Sequence, residues 1–133
     1  MAIFEPEVRA FLEQPWIGRL ATNGADGYPN CVPLWYMVDG EDVVIISERK
    51  TAKVNNLVRD SRATLTVGGE PESGPAYMIK GRVAISDDTG HAWLRKLTER
   101  YETPEEAEKD LAAWADMDNI VIRMTVERVI KVF

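Results

Sequence analysis

Cysteine and histidine each occur once in this chain, as Cys31 and His91. A single cysteine excludes an intramolecular disulfide. One histidine and one cysteine show no metal-ligand spacing, so no metal site is expected, and one histidine alone defines no Ser/His/Asp triad. An excess of positive charge is lacking too, since the formal net charge is −6. Nucleic-acid binders need a basic surface for phosphate contacts, so this balance argues against that class while leaving room for one local basic pocket. Long apolar runs are missing: none approaches the roughly 20 residues that cross a bilayer. The opening MAIFEPEVRA carries Glu5 and Glu7 where a secretory signal would turn apolar. No repeat, low-complexity stretch or linker divides the chain. These absences predict a cytoplasmic protein, one domain over residues 1–133, with neither a nucleic-acid nor a membrane partner.

What is present suffices for a core, because hydrophobic residues make up 45% of 133. Val8, Phe11 and Leu12 share a face, predicting a helix over Pro6 to Gln14 that Pro15 ends. Trp16 to Ala21 and Tyr28 to Val38 read as strands around the turn formers Asn23 to Gly27. Val43 to Ser47 is an apolar strand after Asp39-Gly40. Thr51 to Val58 switches to helical spacing, with Thr51 as N-cap. Arg62 to Val67 and Tyr77 to Ser86 alternate as strands around a Gly- and Pro-rich loop. Two helices follow, Thr89 to Tyr101 and one opened by the capping box Thr103-Pro104-Glu105-Glu106. Trp93, Tyr101 and Trp114 on them read as core. His91 reads as a surface or capping residue and Cys31 as a small buried one. In the last strand, Ile120 to Phe133, the even-numbered residues through Val132 alternate inward, broken only by Arg128. Six strands, mostly joined by tight turns and interrupted by helical insertions, predict a mainly β protein, a six-stranded antiparallel barrel.

The junction Ser47-Glu48-Arg49-Lys50-Thr51-Ala52-Lys53 gathers three cations and two hydroxyls at a strand end and a helix start. Free backbone N–H groups and the positive end of the helix dipole make such a start an anion site. A solvated basic turn with an ordinary cap is the competing reading. No two carboxylates can be paired for acid–base work, and no catalytic residue is assigned.

The segment from Pro29 to Val67, with Asn56-Leu57 and Asp60-x-Arg62 after the junction, resembles the flavin-binding core of the pyridoxamine 5′-phosphate oxidase-like split-barrel family. FLEQPWIGRLATNGADGYP is similar to that family's opening helix and hairpin, and VERVIKVF to its last strand. The resemblance implies a Greek-key-like split barrel that binds flavin mononucleotide (FMN), and hydride or electron transfer to a small molecule. It implies that Thr51 and Lys53, with Lys50 beside them, hold the cofactor phosphate. It places Ser47 along the flavin ring and Val32, Pro33 and Leu34 on a strand bordering it. Trp35 and Tyr36 would wall the pocket or meet a partner. It further implies a homodimer in which Phe133 completes the neighbour's site. A deazaflavin cofactor, welcoming extra cations such as Arg49 and Arg82, is the alternative, and a non-catalytic flavin-binding protein is another. The family's vitamin B6 substrate segment has no counterpart here, so the substrate and electron donor stay open.

Overall fold

The computed structural model describes residues 2–133. Helix α1 (Pro6–Leu12) forms where expected and buries Val8, Phe11 and Leu12. One antiparallel sheet of seven strands follows, in the order β2-β1-β5-β6-β7-β4-β3. Its strands are β1 (Gly18–Asn23), β2 (Pro29–Leu34), β3 (Met37–Asp39), β4 (Asp42–Glu48), β5 (Arg62–Gly68), β6 (Ala76–Asp87) and β7 (Asn119–Lys131). Helix α2 (Ala52–Arg59) bridges β4 and β5, while a 3-10 turn at Thr89–His91, α3 (Ala92–Tyr101) and α4 (Pro104–Ala113) form an insert between β6 and β7. The capping box on α4 is made, with Thr103 and Glu106 bonding reciprocally.

The expected count of six strands is corrected to seven at Trp35 and Tyr36, where the single strand read from Tyr28 to Val38 breaks. The Tyr36 backbone is bonded by helix side chains, and no strand pairs with it: its N–H donates to the Tyr101 hydroxyl at 3.2 Å and its carbonyl accepts from Arg100 Nε at 3.0 Å. The Tyr36 ring turns inward and is fully buried, its hydroxyl donating to the Leu12 carbonyl at 2.8 Å. The break makes β2 and β3, consecutive in the chain, the two outer edges of the sheet. Three residues of chain span at most about 11 Å, whereas seven flat strands would put those edges roughly 29 Å apart. The sheet is therefore strongly coiled, and its edges approach each other where Trp35 and Tyr36 cross.

Inside the coil lie the alternate residues of each strand, among them Leu20, Ile45, Leu65, Ile79 and Ile122, all fully buried. The simple alternation expected along β7 holds only to Val126. Lys80 pairs with Arg128 but Gly81 pairs with Val126, so Glu127 is the extra residue of a β-bulge. Past it the phase shifts by one: Val129, not Arg128 or Ile130, packs against the core, and Val132 is half exposed. Gly81 permits this bend, because a Cβ there would meet the Thr125 carbonyl oxygen at 2.2 Å.

Other expectations also change. Cys31 is exposed, because it lies on the outward face of edge strand β2. Trp93, Tyr101 and Trp114 are only partly buried and stand outside the core, since the insert covers the outside of the sheet. His91 adopts a left-handed backbone, φ 55°. The first turn of α3 is capped by Asp88, whose carboxylate accepts from the Trp93 and Leu94 N–H groups.

A cleft between the insert and the sheet

The outward face of β4 and β7 opens into a cleft of about 350 Å³ under the helical insert. Register builds its floor: Ile46 faces Val121 and Glu48 faces Asn119, on the side of the strands opposite the core. Leu94, Leu97, Trp114 and Met117 of the insert roof it, and Leu34 and Trp35 close one side. Thr51 and Lys53, at the start of α2, form its polar end with Ser47.

Two clamps hold these walls. Arg100 of α3 donates to the carbonyls of Leu12, Glu13, Gln14 and Tyr36, tying the insert to the end of α1 and to the crossing between the sheet edges. Tyr101 stacks flat on Trp35, with ring centroids 4.8 Å apart and 5° between planes. Its hydroxyl donates to the Trp16 carbonyl at 2.7 Å. Trp35 thus enters the cleft as a fixed plane. At the other side, Arg49 grips Asp118 and Asp87. That grip joins the β4–α2 junction to both ends of the insert.

The three cations of the junction therefore have different fates. Arg49 is neutralised by its two carboxylates, which hold the guanidinium charged, and it in turn pulls the Asp118 carboxyl below its usual range. Lys50 is exposed and does not line the cleft. Lys53 is partly buried and makes no ion pair among the described residues; burial lowers its pKa, a shift the nearby Glu48 carboxylate opposes. Thr51 occupies the N-cap position, but its hydroxyl does not cap the helix as expected. It lies 3.2 Å from both the Glu48 carbonyl oxygen and Ser47 Oγ. The strand-end turn takes that hydroxyl, so Thr51 gives the first N–H groups of α2 no side-chain cap.

Of the residues expected to hold a cofactor, Leu34, Ser47, Thr51 and Lys53 come together in this cleft. Val32 and Pro33 lie further back along β2, Val32 partly buried and Pro33 exposed. Phe133 is 65% exposed and does not line this cleft; it borders another hollow with Phe11, Gln14 and Tyr77, and its carbonyl accepts from the Ala76 N–H. Tyr36 lies in the core and does not reach the cleft wall. Seven contributors escaped the sequence: Ile46, Glu48, Leu94, Leu97, Trp114, Met117 and Asn119. Trp114 read as core, and only the β4–β7 register reveals Asn119.

A second hollow of about 390 Å³ gathers Arg62, Lys80 and Arg128. There Arg62 is bound to Asp60, and Glu127, which pairs with Arg82 at 3.6 Å, sits beside Lys80 and Arg128. No group of three or more metal-binding side chains occurs among the described residues. No helix there is long and apolar enough to cross a membrane.

A family model described as pyridoxamine 5′-phosphate oxidase matches residues 4–133. Among solved structures, the chain is similar to an F420 reductase at 24% identity, with TM-score 0.75, over 92% of this chain and 94% of that one. A conserved hypothetical protein from Mycobacterium tuberculosis aligns at 23% identity and TM-score 0.76, over 98% and 85% of the two chains. HutZ, the haem storage protein from Vibrio cholerae, aligns at 17% and 0.70, over 100% and 97%. At these identities the likeness carries the fold. Comparison with curated proteins gives no match.

Proposed function

The chain belongs to the pyridoxamine 5′-phosphate oxidase family, and from that premise we propose that it is a cytoplasmic, FMN-binding oxidoreductase, one flavin domain working as a homodimer. The observation that carries this reading is Lys53, a partly buried cation without an ion-pair partner, set beside uncapped helix N–H groups and under apolar walls. Burying an unpaired charge is costly, and an anionic ligand removes that cost. The residues present fit a flavin phosphate. Lys53 and Thr51 would hold it, with Ser47 alongside and Lys50 adding a cation near the mouth. Val32, Pro33 and Leu34 would border the ring, and the fixed plane of Trp35 would orient it. Phe133 of a second copy would complete the site. When bound, the flavin supplies hydride transfer with a small-molecule substrate. The chain's part is to fix the phosphate, orient the ring and keep water out with Leu94, Leu97 and Trp114.

The state of Arg49 supports FMN over a longer, acidic deazaflavin. The extra cations that would welcome such a tail are already engaged, Arg49 by Asp87 and Asp118 and Arg82 by Glu127 at 3.6 Å. Titrating apo-protein with both cofactors, by fluorescence quenching, tests the choice. FMN is expected to bind about tenfold or more tightly, a difference of about 1.4 kcal/mol or more. Preference for the deazaflavin overturns the FMN reading, and binding of neither overturns the flavin reading altogether. Rapid reoxidation of bound reduced flavin by one acceptor class, among quinones, nitro compounds and oxygen, separates an enzyme from a flavin carrier.

A further inference from the structure

We propose that the Asn119 carboxamide reads the hydroxyl chain of the bound cofactor, next to its phosphate; this rests on the flavin reading above. Asn119 is only 5% exposed and lines the cleft. Neither its Nδ2 nor its Oδ1 has a hydrogen-bond partner among the described residues. Trp16 Nε1, Asn30 Oδ1 and Glu102 Oε1 are also unpartnered, but each is a single atom, and none of those residues lines this cleft.

A buried amide lacking both partners is destabilising unless a ligand or solvent completes it. What completes it must accept from Nδ2 and donate to Oδ1. An ionised phosphate only accepts, so it answers half of the demand. The apolar roof answers none. A hydroxyl does both, and neighbouring hydroxyls can divide the task. Position selects the same group. Asn119 is paired across the ladder with Glu48, whose carbonyl lies 3.2 Å from the Thr51 hydroxyl. Asn119 is therefore one strand over from the Glu48 backbone that Thr51 touches, and it lines the same cleft as Thr51 and Lys53. In FMN the ribityl hydroxyls directly adjoin the phosphate, whereas the imide edge of the ring lies at the opposite end. Asn119 thus adds selection for a phosphorylated polyol to a site that Lys53 alone would open to any anion.

Three ligands separate the parts: FMN, riboflavin, which lacks the phosphate, and lumiflavin, which keeps the ring but lacks the hydroxyl chain. With Asn119→Leu, close in volume, FMN and riboflavin are expected to weaken by the same factor, about tenfold or more, while lumiflavin stays within about twofold. The apo-protein should melt no lower than wild type, because an apolar side chain replaces an unsatisfied amide. Asn119→Ala removes donor and acceptor without adding a charge, and should show the same ligand order if the leucine variant fails to fold. Equal weakening of lumiflavin would assign Asn119 to the ring edge, and unchanged riboflavin binding would remove it from the site. A lowered apo melting temperature in both variants would make it a structural amide. Each of these overturns the inference and leaves the flavin reading standing. A wild-type protein that binds none of the three ligands overturns both.

Discussion

The two faces of β4 and β7 are made from the same strands and do opposite work. Toward the core they present Ile45, Ile120 and Ile122, fully buried and apolar. Toward the insert they present Ile46, Glu48 and Asn119, and with α2 they leave one cation and one amide unanswered by the protein. Successive side chains of a strand point to opposite faces, so stability and ligand chemistry can share a strand without sharing a residue.

The largest expected effect lies on the core face. Ile122→Ala should cost about 2–5 kcal/mol of unfolding free energy, the usual result of emptying a packed site, as read from urea denaturation. Flavin affinity of the folded fraction should be unchanged. A matching loss of affinity would show that the two faces are mechanically coupled.

Lys53 is the corresponding test on the cleft side. Lys53→Ala should weaken FMN by roughly 1.5–3 kcal/mol, the range for a charge-assisted hydrogen bond, and leave riboflavin nearly unaffected. The pH dependence sharpens this. Burial lowers the folded Lys53 pKa, so the free ammonium loses its proton below the ordinary lysine range. Its buried charge therefore penalises the apo fold at neutral pH; the penalty begins to fall as pH passes the lowered value and is gone above the ordinary lysine value. FMN affinity should fall over that window, and the fall should be absent for riboflavin and in Lys53→Ala. Parallel curves for the two ligands would place Lys53 away from the phosphate.

The smallest effect concerns the insert that roofs the cleft. Asp110 beside Glu102 raises the Glu102 carboxyl to about 6, because a protonated acid can share a hydrogen bond with Asp110 that two carboxylates cannot. Protonation therefore favours the docked α3–α4 pair. The gain is complete below the unfolded value near 4.5 and is lost as pH rises through about 6. Amide exchange in α3 and α4 should slow slightly as pH falls through that window, after correction for intrinsic exchange. Asp110→Asn should flatten the profile, and an unchanged profile would remove the pair from insert docking.

Much of the fold could be read from local pattern. α1, α2, β4 and β5 follow from spacing within a few residues, and Thr103 to Glu106 announces its helix start because a capping box is a contact within one turn. Tyr36 shows where that reading fails. Its stretch has ordinary strand composition, and only Arg100 and Tyr101, far along the chain, take its backbone bonds and break the strand. The bulge at Glu127 is equally silent, since it depends on the register against Gly81. In the cleft, Ser47, Thr51 and Lys53 were visible because they are neighbours in sequence. The neutralisation of Arg49 was not, because Asp87 and Asp118 reach it from the two ends of the insert.

The sequence by itself determined a mainly β chain with a helical insert and a strand-to-helix junction rich in cations and hydroxyls. Those are properties of composition, period and adjacent residues. Tertiary structure alone decided that the sheet has seven strands, that Arg49 and not Lys53 is paired with carboxylates, and that Asn119 lines the same cleft as Lys53. The physical reason is that charge neutralisation and hydrogen-bond satisfaction are settled between residues distant along the chain. Only the strand register and the docking of the insert bring those residues within reach of one another.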